Sequence, residues 1–591
     1  MGLKFRQAFL EIEASRGKKR YVLNPNRPNF FDELYVDFTW EKASAGYRYT
    51  LFLHPKENLS VLDLGVQFDG VPNGPEARFF ANGYQSWSES RPVPFSASIP
   101  PLRTPAKPFM GYYGDEHIGG IPHAKGHLHS WTYTYLTDRA TKTWFLGSLN
   151  EQTGFTLFLL DQPAGVLTVR KDMSGLRLEH SFPGLDFWVG EGRVPELFDA
   201  WVEYAIPDKQ QAKRPVRPLG WTSWYRYFTQ ISEAVILKNA AAIAASGLPF
   251  GYCQIDDGWQ TAVGDWRSVK PAFPGGMGQL ATQIRAYGLT PGLWLAPFVA
   301  GAKSDLARRH LDWLLKDSRG RPLRAGWNPM WGGWFFALDF YHPGVQDYLS
   351  GVFHIILEQW GYELVKLDFL FAACLAPPPG KTRGQVMWDA MAFLRRLTGD
   401  RQLLACGVPL GAAFGQADIC RVGGDVHMSW EHRLLGWLRH RERVSTRSAL
   451  RSVLGRWQLN GRAFWSDPDV FILRREGQRL TPVQQHTLLT VNTLLGSVLF
   501  TSDDAGAYTA EHRSELEKAL TWQGSVVLSV EEPVTDVYVL EFQRDGHRYT
   551  AYCNLQHSTV RLPGTKNGRI DIQPFETIIL EDKATPVISS S

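Results

Sequence analysis

The chain has 591 residues, too many for one ordinary domain, and length alone suggests three or four units. Hydrophobic residues at 44% and charged residues at 21% are the balance of a globular protein with large cores, which excludes a disordered or fibrous chain. A formal net charge of +4 without a long basic run excludes a nucleic acid recognised by charge; the short segment Arg16–Arg20 reads as a solvated turn.

The first residues, Met1-Gly-Leu-Lys-Phe-Arg, lead into a charged segment with no apolar signal-peptide region, and no run of 18 apolar residues occurs. No membrane partner and a cytoplasmic location are therefore expected. Up to residue 207 the pattern is short alternating segments broken by Gly, Pro and Asn, such as Arg48–Leu53, Thr143–Leu149 and Phe155–Leu160; this period of two predicts an N-terminal β-sandwich over 1–207. The Pro-rich stretch Arg91–Pro108 reads as a long loop, and Lys209–Pro218 as a linker.

From residue 208 to 518 short apolar strands alternate with amphipathic helices, among them Ser232–Ser246 and Ser304–Leu315. Strands are expected at Leu219–Trp224, Gly251–Ile255, Gly292–Ala296, Glu363–Leu367, Gln402–Ala405, Ala417–Arg421, Ala463–Ser466 and Ser497–Thr501. Eight strands with helices between them fit a central (β/α)8 TIM barrel better than an open sheet. Alternation returns in Val534–Phe542 and Tyr549–Tyr552, predicting a small C-terminal antiparallel β-domain over 519–591. The fold class is thus multidomain, all-β at both ends and α/β in the centre.

Twenty-two Trp residues stand out. Most must fill cores, but indole faces also stack on the flat C–H faces of sugar rings. Five Cys, at 253, 374, 406, 420 and 553, form no C-x-x-C pair and predict no disulfide framework. His117, His123, His127 and His129 are spaced too irregularly for metal ligands and read as exposed loop side chains.

In a parallel barrel the loops at the strand C-termini build the active site. The residues there are Trp221 and Trp224, Asp256 and Asp257, Trp294, Lys366 and Asp368, Cys406, Arg421 and Asp425, Asp467 and Asp469, and Asp503 and Asp504. Carboxylates dominate, without the His or Cys of a zinc hydrolase, a G-x-S-x-G elbow or a P-loop lysine. Hard cations also take oxygen ligands, but Lys366 stands two residues from Asp368 on one strand face and would repel a metal. Two carboxylates are what retaining glycoside hydrolysis requires, one to attack the anomeric carbon and one to protonate the leaving oxygen. No metal or cofactor is expected.

Gly220-Trp-Thr-Ser-Trp-Tyr225, Gln254-Ile-Asp-Asp-Gly-Trp-Gln260, Gly292-Leu-Trp-Leu-Ala-Pro-Phe298, Val365-Lys-Leu-Asp-Phe-Leu370, Cys406-Gly-Val-Pro-Leu410, Arg421-Val-Gly-Gly-Asp425 and Ser466-Asp-Pro-Asp469 together resemble glycoside hydrolase family 36, the bacterial α-galactosidases or melibiases. The motifs run in the family's order from about residue 80 to 505. The resemblance implies Asp368 as nucleophile and Asp425 as general acid/base. It also implies Asp256 and Asp257 as partners of the sugar's O4 and O6, Lys366 as ligand of the 3- and 4-hydroxyls, and Arg421 near the 2-hydroxyl, with Cys406 beside it. Trp294 and Trp224 should wall the pocket. Asn82-Gly-Tyr-Gln-Ser-Trp87 resembles a segment that reaches over the barrel mouth, nominating Trp87 and Tyr84. Trp259, Trp266, Asp467 and Asp469 are weaker candidates. Adjacent strand residues face opposite ways, so Asp256 and Asp257 can share a ligand only if the strand has ended before them. The acid/base needs partial burial or a neighbouring carboxylate to keep its proton at neutral pH.

The activity expected is hydrolysis of terminal non-reducing α-galactosides of the melibiose and raffinose type with retention, on a small-molecule carbohydrate substrate. The rivals are α-N-acetylgalactosaminidase activity, galactosyl transfer and, in a different class, a non-catalytic galactose-binding protein. A monomer or small oligomer fits the chain's size.

Overall fold

The computed structural model describes residues 2–72, 74–138, 142–173, 176–206, 219–563 and 569–582; the expected linker Lys209–Pro218 lies outside them. Two antiparallel sheets, of seven and eight strands, occupy the chain up to Gly192. In the strand Gly46–Pro55 every second residue, Tyr49, Leu51 and Leu53, turns inward. These side chains join Leu10, Val66 and Phe68 of the other sheet in one apolar core, where Tyr49 stacks on Phe187 at 5.1 Å and meets the edge of Phe68 at 5.4 Å. The proline-rich loop expected after Arg91 begins instead as a strand, Arg91–Pro94, paired with Arg78–Ala81. It lies at the sheet edge, where proline's missing N–H leaves no ladder bond broken.

The central region holds a curled parallel sheet of eight passes: Leu219–Thr222, Phe250–Ile255, Thr290–Leu295, Leu364–Leu367, Gln402–Ala405, Ile419–Arg421, a split seventh, and Leu499–Thr501. Each pass pairs with the next, and the first pairs with the last through Leu219 and Leu499. In the seventh, Trp465–Asp467 pairs with the sixth pass and Val470–Phe471 with the eighth. Only Pro468 and Asp469 separate the two pieces, and Asp469 takes a left-handed φ of 77°. The expected strands lie within two residues of these passes, apart from that split.

Helices follow seven of the passes: Glu233–Ala245, Gly276–Ala286, Pro343–His354, Arg383–Thr398, Thr446–Gly455, Pro482–Leu495 and Ala510–Leu520. After the fifth pass only a 3-10 turn, Leu410–Ala413, intervenes. The N-terminal region packs there instead. A Cβ on Gly411 would come within 2.6 Å of Glu151, and Trp201 meets the edge of Phe414 at 5.8 Å.

The helix expected over Ser304–Leu315 runs only from Asp305 to Arg309, capped by the Ser304 hydroxyl. Beyond it the backbone is used by bridges from Leu314 to Leu338 and from Lys316 to Pro322. These belong to an excursion with a small antiparallel sheet, Val299–Gly301, Arg324–Asn328 and Gly333–Ala337, which sequence periodicity did not disclose.

Four antiparallel strands form the C-terminal sheet: Val526–Val534, Val537–Arg544, His547–Asn554 and Thr577–Glu581. The run Val534–Phe542, expected as one strand, straddles a hairpin turn at Asp536, whose φ is 62°. Arg451 from the central region grips the Asp536 carboxylate with two bonds of 2.6 and 2.5 Å. Among the described residues no helix is long and apolar enough to cross a membrane.

Candidate active site

A cavity of about 430 Å³ opens where the C-terminal ends of the central strands meet the N-terminal region. Asp256, Asp257, Lys366, Asp368, Asp425, Trp294, Trp224 and Trp87 of the expected site all line it. The strand carrying the paired aspartates ends at Ile255, so both side chains turn into the same space. Their turn is fixed from two sides: the Ser223 hydroxyl accepts from the Asp256 amide at 2.9 Å, and Asp256 Oδ1 accepts from the Asp257 amide at 2.9 Å.

Lys366 donates to Asp256 Oδ2 at 2.8 Å, and Gln254 adds a bond of 3.0 Å. Burial pushes the Asp256 carboxyl up, but the ammonium and these hydrogen bonds outweigh it and hold Asp256 below its ordinary value. The same pairing raises Lys366 in spite of burial. Among the described residues no such cation contacts Asp257. It accepts from Gln260 at 2.6 Å and from the Trp331 indole at 2.7 Å, and burial pushes it up to about 6. One carboxylate of the pair is locked ionised while its neighbour titrates close to neutrality.

Asp368 follows the fourth strand. Its Oδ2 accepts from the Trp294 indole at 3.0 Å, and its Oδ1 from the Phe369 amide at 3.0 Å. Phe369 makes that turn with a φ of 55°, the kind of local strain that functional sites hold. Burial raises the Asp368 carboxyl, opposed by Lys366 and by the Trp294 bond. Asp425 accepts from Arg421 at 2.9 Å on Oδ1, and its side chain is 35% exposed to the cavity mouth. Among the described residues no donor reaches its Oδ2.

Three residues expected at the site, Arg421, Cys406 and Tyr84, do not line the cavity. Arg421 is buried. Besides Asp425 it binds Asp467 at 3.0 Å and Asp469 at 2.9 Å, so its guanidinium holds three carboxylates in place. Cys406 is also buried, and its sulfur accepts from the Trp87 indole at 3.1 Å. Tyr84 packs its edge against Trp131 and Phe155, with its hydroxyl 3.7 Å from Cys374 Sγ. The weaker candidates are supports as well: the Trp259 indole donates to the Trp294 carbonyl at 3.0 Å, and Trp266 packs edge-on against Trp294. Trp221 and Asp503 are buried in the framework, joined by an indole bond to the Asp503 carbonyl, and Asp504 caps the short turn Ala505–Ala507.

The histidines expected on exposed loops are in part interior. His129 lies on a strand, fully buried, and bonds Asp115 at 2.9 Å, and His117 is half-buried, with both ring nitrogens buried and no hydrogen-bond partner for them among the described residues. Asp115 and the Trp131 indole that also binds it draw His129 inward.

The Asn82–Trp87 segment is held by Arg456, a fully buried side chain that sequence reading passed over. Its guanidinium donates to Asn82 Oδ1 at 2.9 Å and to the carbonyls of Ser86, Gln85 and Gly83. Gly407, with φ at 61°, lets Trp87 approach: a Cβ there would stand 2.9 Å from the indole. Tyr225 was also missed. Its hydroxyl donates to Asp469, whose Oδ2 accepts from the Val426 amide at 2.7 Å, pinning the loop that carries Asp425. Trp331 comes from the excursion; the only signal was the Trp- and Gly-rich run Gly326–Trp334. Glu442 and His440 complete the wall. Burial pushes Glu442 up to about 7 against its Ser88 bond, and His440 down to about 3.

A family model described as Melibiase matches residues 196–373. Among curated relatives, the α-galactosidase AgaA of Geobacillus stearothermophilus is 29% identical over 159 residues, covering 26% of this chain and 21% of its own length. The bifunctional α-galactosidase/sucrose kinase AgaSK of Mediterraneibacter gnavus is 27% identical over 163 residues, covering 26% of this chain and 16% of its own. The matched stretches thus span less than a quarter of these curated relatives. Over the whole fold, the α-galactosidase TtGalA of Thermus thermophilus superposes with a TM-score of 0.69 and 29% identity in its complex with p-nitrophenyl α-D-galactopyranoside, covering 87% of this chain and 98% of that one. In its complex with stachyose the TM-score is 0.68 and the identity 30%, over 84% of this chain and 99% of the other. With these motifs, this cavity and that coverage, the chain belongs to the melibiase family, the α-galactosidases of glycoside hydrolase family 36.

Proposed function

We propose that the chain is a retaining α-galactosidase that releases terminal non-reducing galactosyl residues from oligosaccharides of the melibiose and raffinose type by double displacement. The observation that carries the reading is that two differently held carboxylates, Asp368 and Asp425, face one cavity that also contains the Lys366–Asp256 pair. Asp368 is the nucleophile. Its two oxygens are oriented by Trp294 and the Phe369 amide, and Lys366 two residues earlier favours its anionic form. Asp425 gives a proton to the leaving oxygen and then takes one from the water that opens the galactosyl-enzyme. Arg421, fixed on Asp467 and Asp469, positions that carboxyl from behind.

Asp256, Asp257 and Lys366 select the axial 4-hydroxyl. The epimer without it leaves buried charge unpaired, which is a stronger rejection than shape alone provides. Trp87 and Trp294 supply the flat apolar faces on which the sugar's C–H bonds rest. The T. thermophilus relative holds an aryl α-galactoside in one structure and stachyose in another, which supports a galactoside as substrate here. The curled parallel sheet is read as a closed (β/α)8 barrel over 208–518, between an N-terminal β-sandwich (1–207) and a C-terminal β-domain (519–591). The chemistry needs no cofactor. Replacing Asp368 with Gly should abolish turnover, and azide should restore it with β-galactosyl azide as product; an undiminished rate without azide would overturn the assignment.

A further inference from the structure

A second cavity, of about 520 Å³, lies between the N-terminal region and the segment 431–447. Its wall carries six arginines: Arg91, Arg433, Arg439, Arg441, Arg443 and Arg447. Two carboxylates line it with them. Glu89 bonds Arg443 at 2.5 Å and meets Arg91 and Arg451 at 3.3 Å, and Glu431 pairs with Arg447. Three more acids stand behind the wall: Asp115 is 3.9 Å from Arg441, Glu532 is 3.7 Å from Arg91, and Asp536 is bound by Arg451 with Arg447 at 3.8 Å. Seven guanidinium groups, counting Arg451, thus face five carboxylates. Arg433 and Arg439 are the two with no ion pair among the described residues, and both are exposed. Arg447 Nε, nearby, is buried without a hydrogen-bond partner among the described residues. Such an excess of planar forked donors around one hollow suits a tetrahedral oxyanion, which takes two parallel N–H bonds from each guanidinium.

The position matters as much as the charge. Between residues 439 and 444 the chain alternates: Arg439, Arg441 and Arg443 face the arginine cavity, while His440, Glu442 and Val444 face the cavity that holds Asp368 and Asp425. One strip of backbone is therefore a wall common to both. It is tied directly to the acid/base loop, since the Ser445 amide donates to the Asp425 carbonyl at 2.9 Å.

We propose that the arginine cavity is an effector site for a phosphate-bearing small molecule of monosaccharide size, and that its occupancy changes galactoside binding through the shared 439–444 wall. Arg433 and Arg439 supply the unpaired charge, and the exposed ring of Trp437 beside them offers a flat face to the rest of the ligand.

The test titrates the intact protein with glucose 6-phosphate and, separately, with inorganic phosphate by isothermal calorimetry. The same titrations are repeated on Arg433→Gln/Arg439→Gln, which alters two exposed side chains and none that lines the catalytic cavity. Losing one charge-assisted hydrogen bond weakens binding about tenfold, so the double variant should bind at least that much more weakly. KM for p-nitrophenyl α-galactoside should shift on adding the phosphate compound to wild type and stay constant in the variant. Binding without a shift in KM would overturn the effector role. No heat with either compound, or equal heat in wild type and variant, would overturn the site. Calorimetry reads binding without turnover, so the site is tested even if the substrate is not a galactoside.

Discussion

Lys366→Met removes the cation from a buried pair and leaves Asp256 among neutral partners. Asp256 is 2% exposed, and the Gln254 amide and Thr222 hydroxyl that remain are weaker partners than an ammonium. A buried carboxylate that loses its cation takes up a proton, and that escape limits the damage. Keeping a carboxyl of ordinary pKa near 3.9 protonated at pH 7 costs about 4 kcal/mol, within the roughly 3–5 kcal/mol of a broken buried pair. In the native protein Asp256 is held below its ordinary value, so its contribution to stability is present above about pH 4 and is lost as pH falls through the lower folded value. In the variant the sign reverses: the penalty is greatest at neutral pH and shrinks by about 1.4 kcal/mol per pH unit on acidification. Urea unfolding followed by tryptophan emission should thus show a deficit of about 4 kcal/mol at pH 7 and about 1.5 kcal/mol at pH 5. The double variant Lys366→Met/Asp256→Asn should recover most of it, because neither partner is then left charged. A deficit independent of pH, or a double variant as unstable as the single, would refute the reasoning.

Asp257, pushed up to about 6, is protonated on the acid side and ionised above, so kcat/KM should fall below about pH 6. Asp257→Asn should lower activity and flatten that limb; an acid limb unchanged in the variant would assign it to another group. Gly407→Ala places a Cβ 2.9 Å from Trp87 at a left-handed φ, a strain of about 1–2 kcal/mol before the indole moves. KM for aryl galactosides should rise about tenfold as the sugar loses that wall, and an unchanged KM would remove Trp87 from the sugar site.

Much of the site was legible because a parallel sheet aligns its strand ends, and the sequence marks those ends with charge. Asp256, Asp257, Lys366 and Asp368 follow short apolar runs, and all reach the cavity. Strand position does not give the depth at which a side chain sits. Arg421 and Cys406 occupy strand ends as expected, but they stand behind the cavity wall, Arg421 bonded to Asp425, Asp467 and Asp469 and Cys406 to Trp87 and Asp368. Residues from irregular chain were harder still. Trp331 depends on an excursion whose strands are five residues or fewer, too short for a period to register. Glu442 and His440 alternate with arginines over 439–443, a charged run without the apolar residues by which a strand is recognised. The absent helix after the fifth strand follows from packing across the chain: the space it would fill is taken by Glu151 and Trp201, more than 200 residues earlier.

The central claim, that Asp368 and Asp425 form a retaining pair acting on α-galactosides, is tested most directly by proton NMR of the protein turning over p-nitrophenyl α-galactoside. The account predicts that the first free sugar signal is α-galactose, with the β anomer growing only as mutarotation proceeds. A β signal first, or no release of galactose at all, would contradict it.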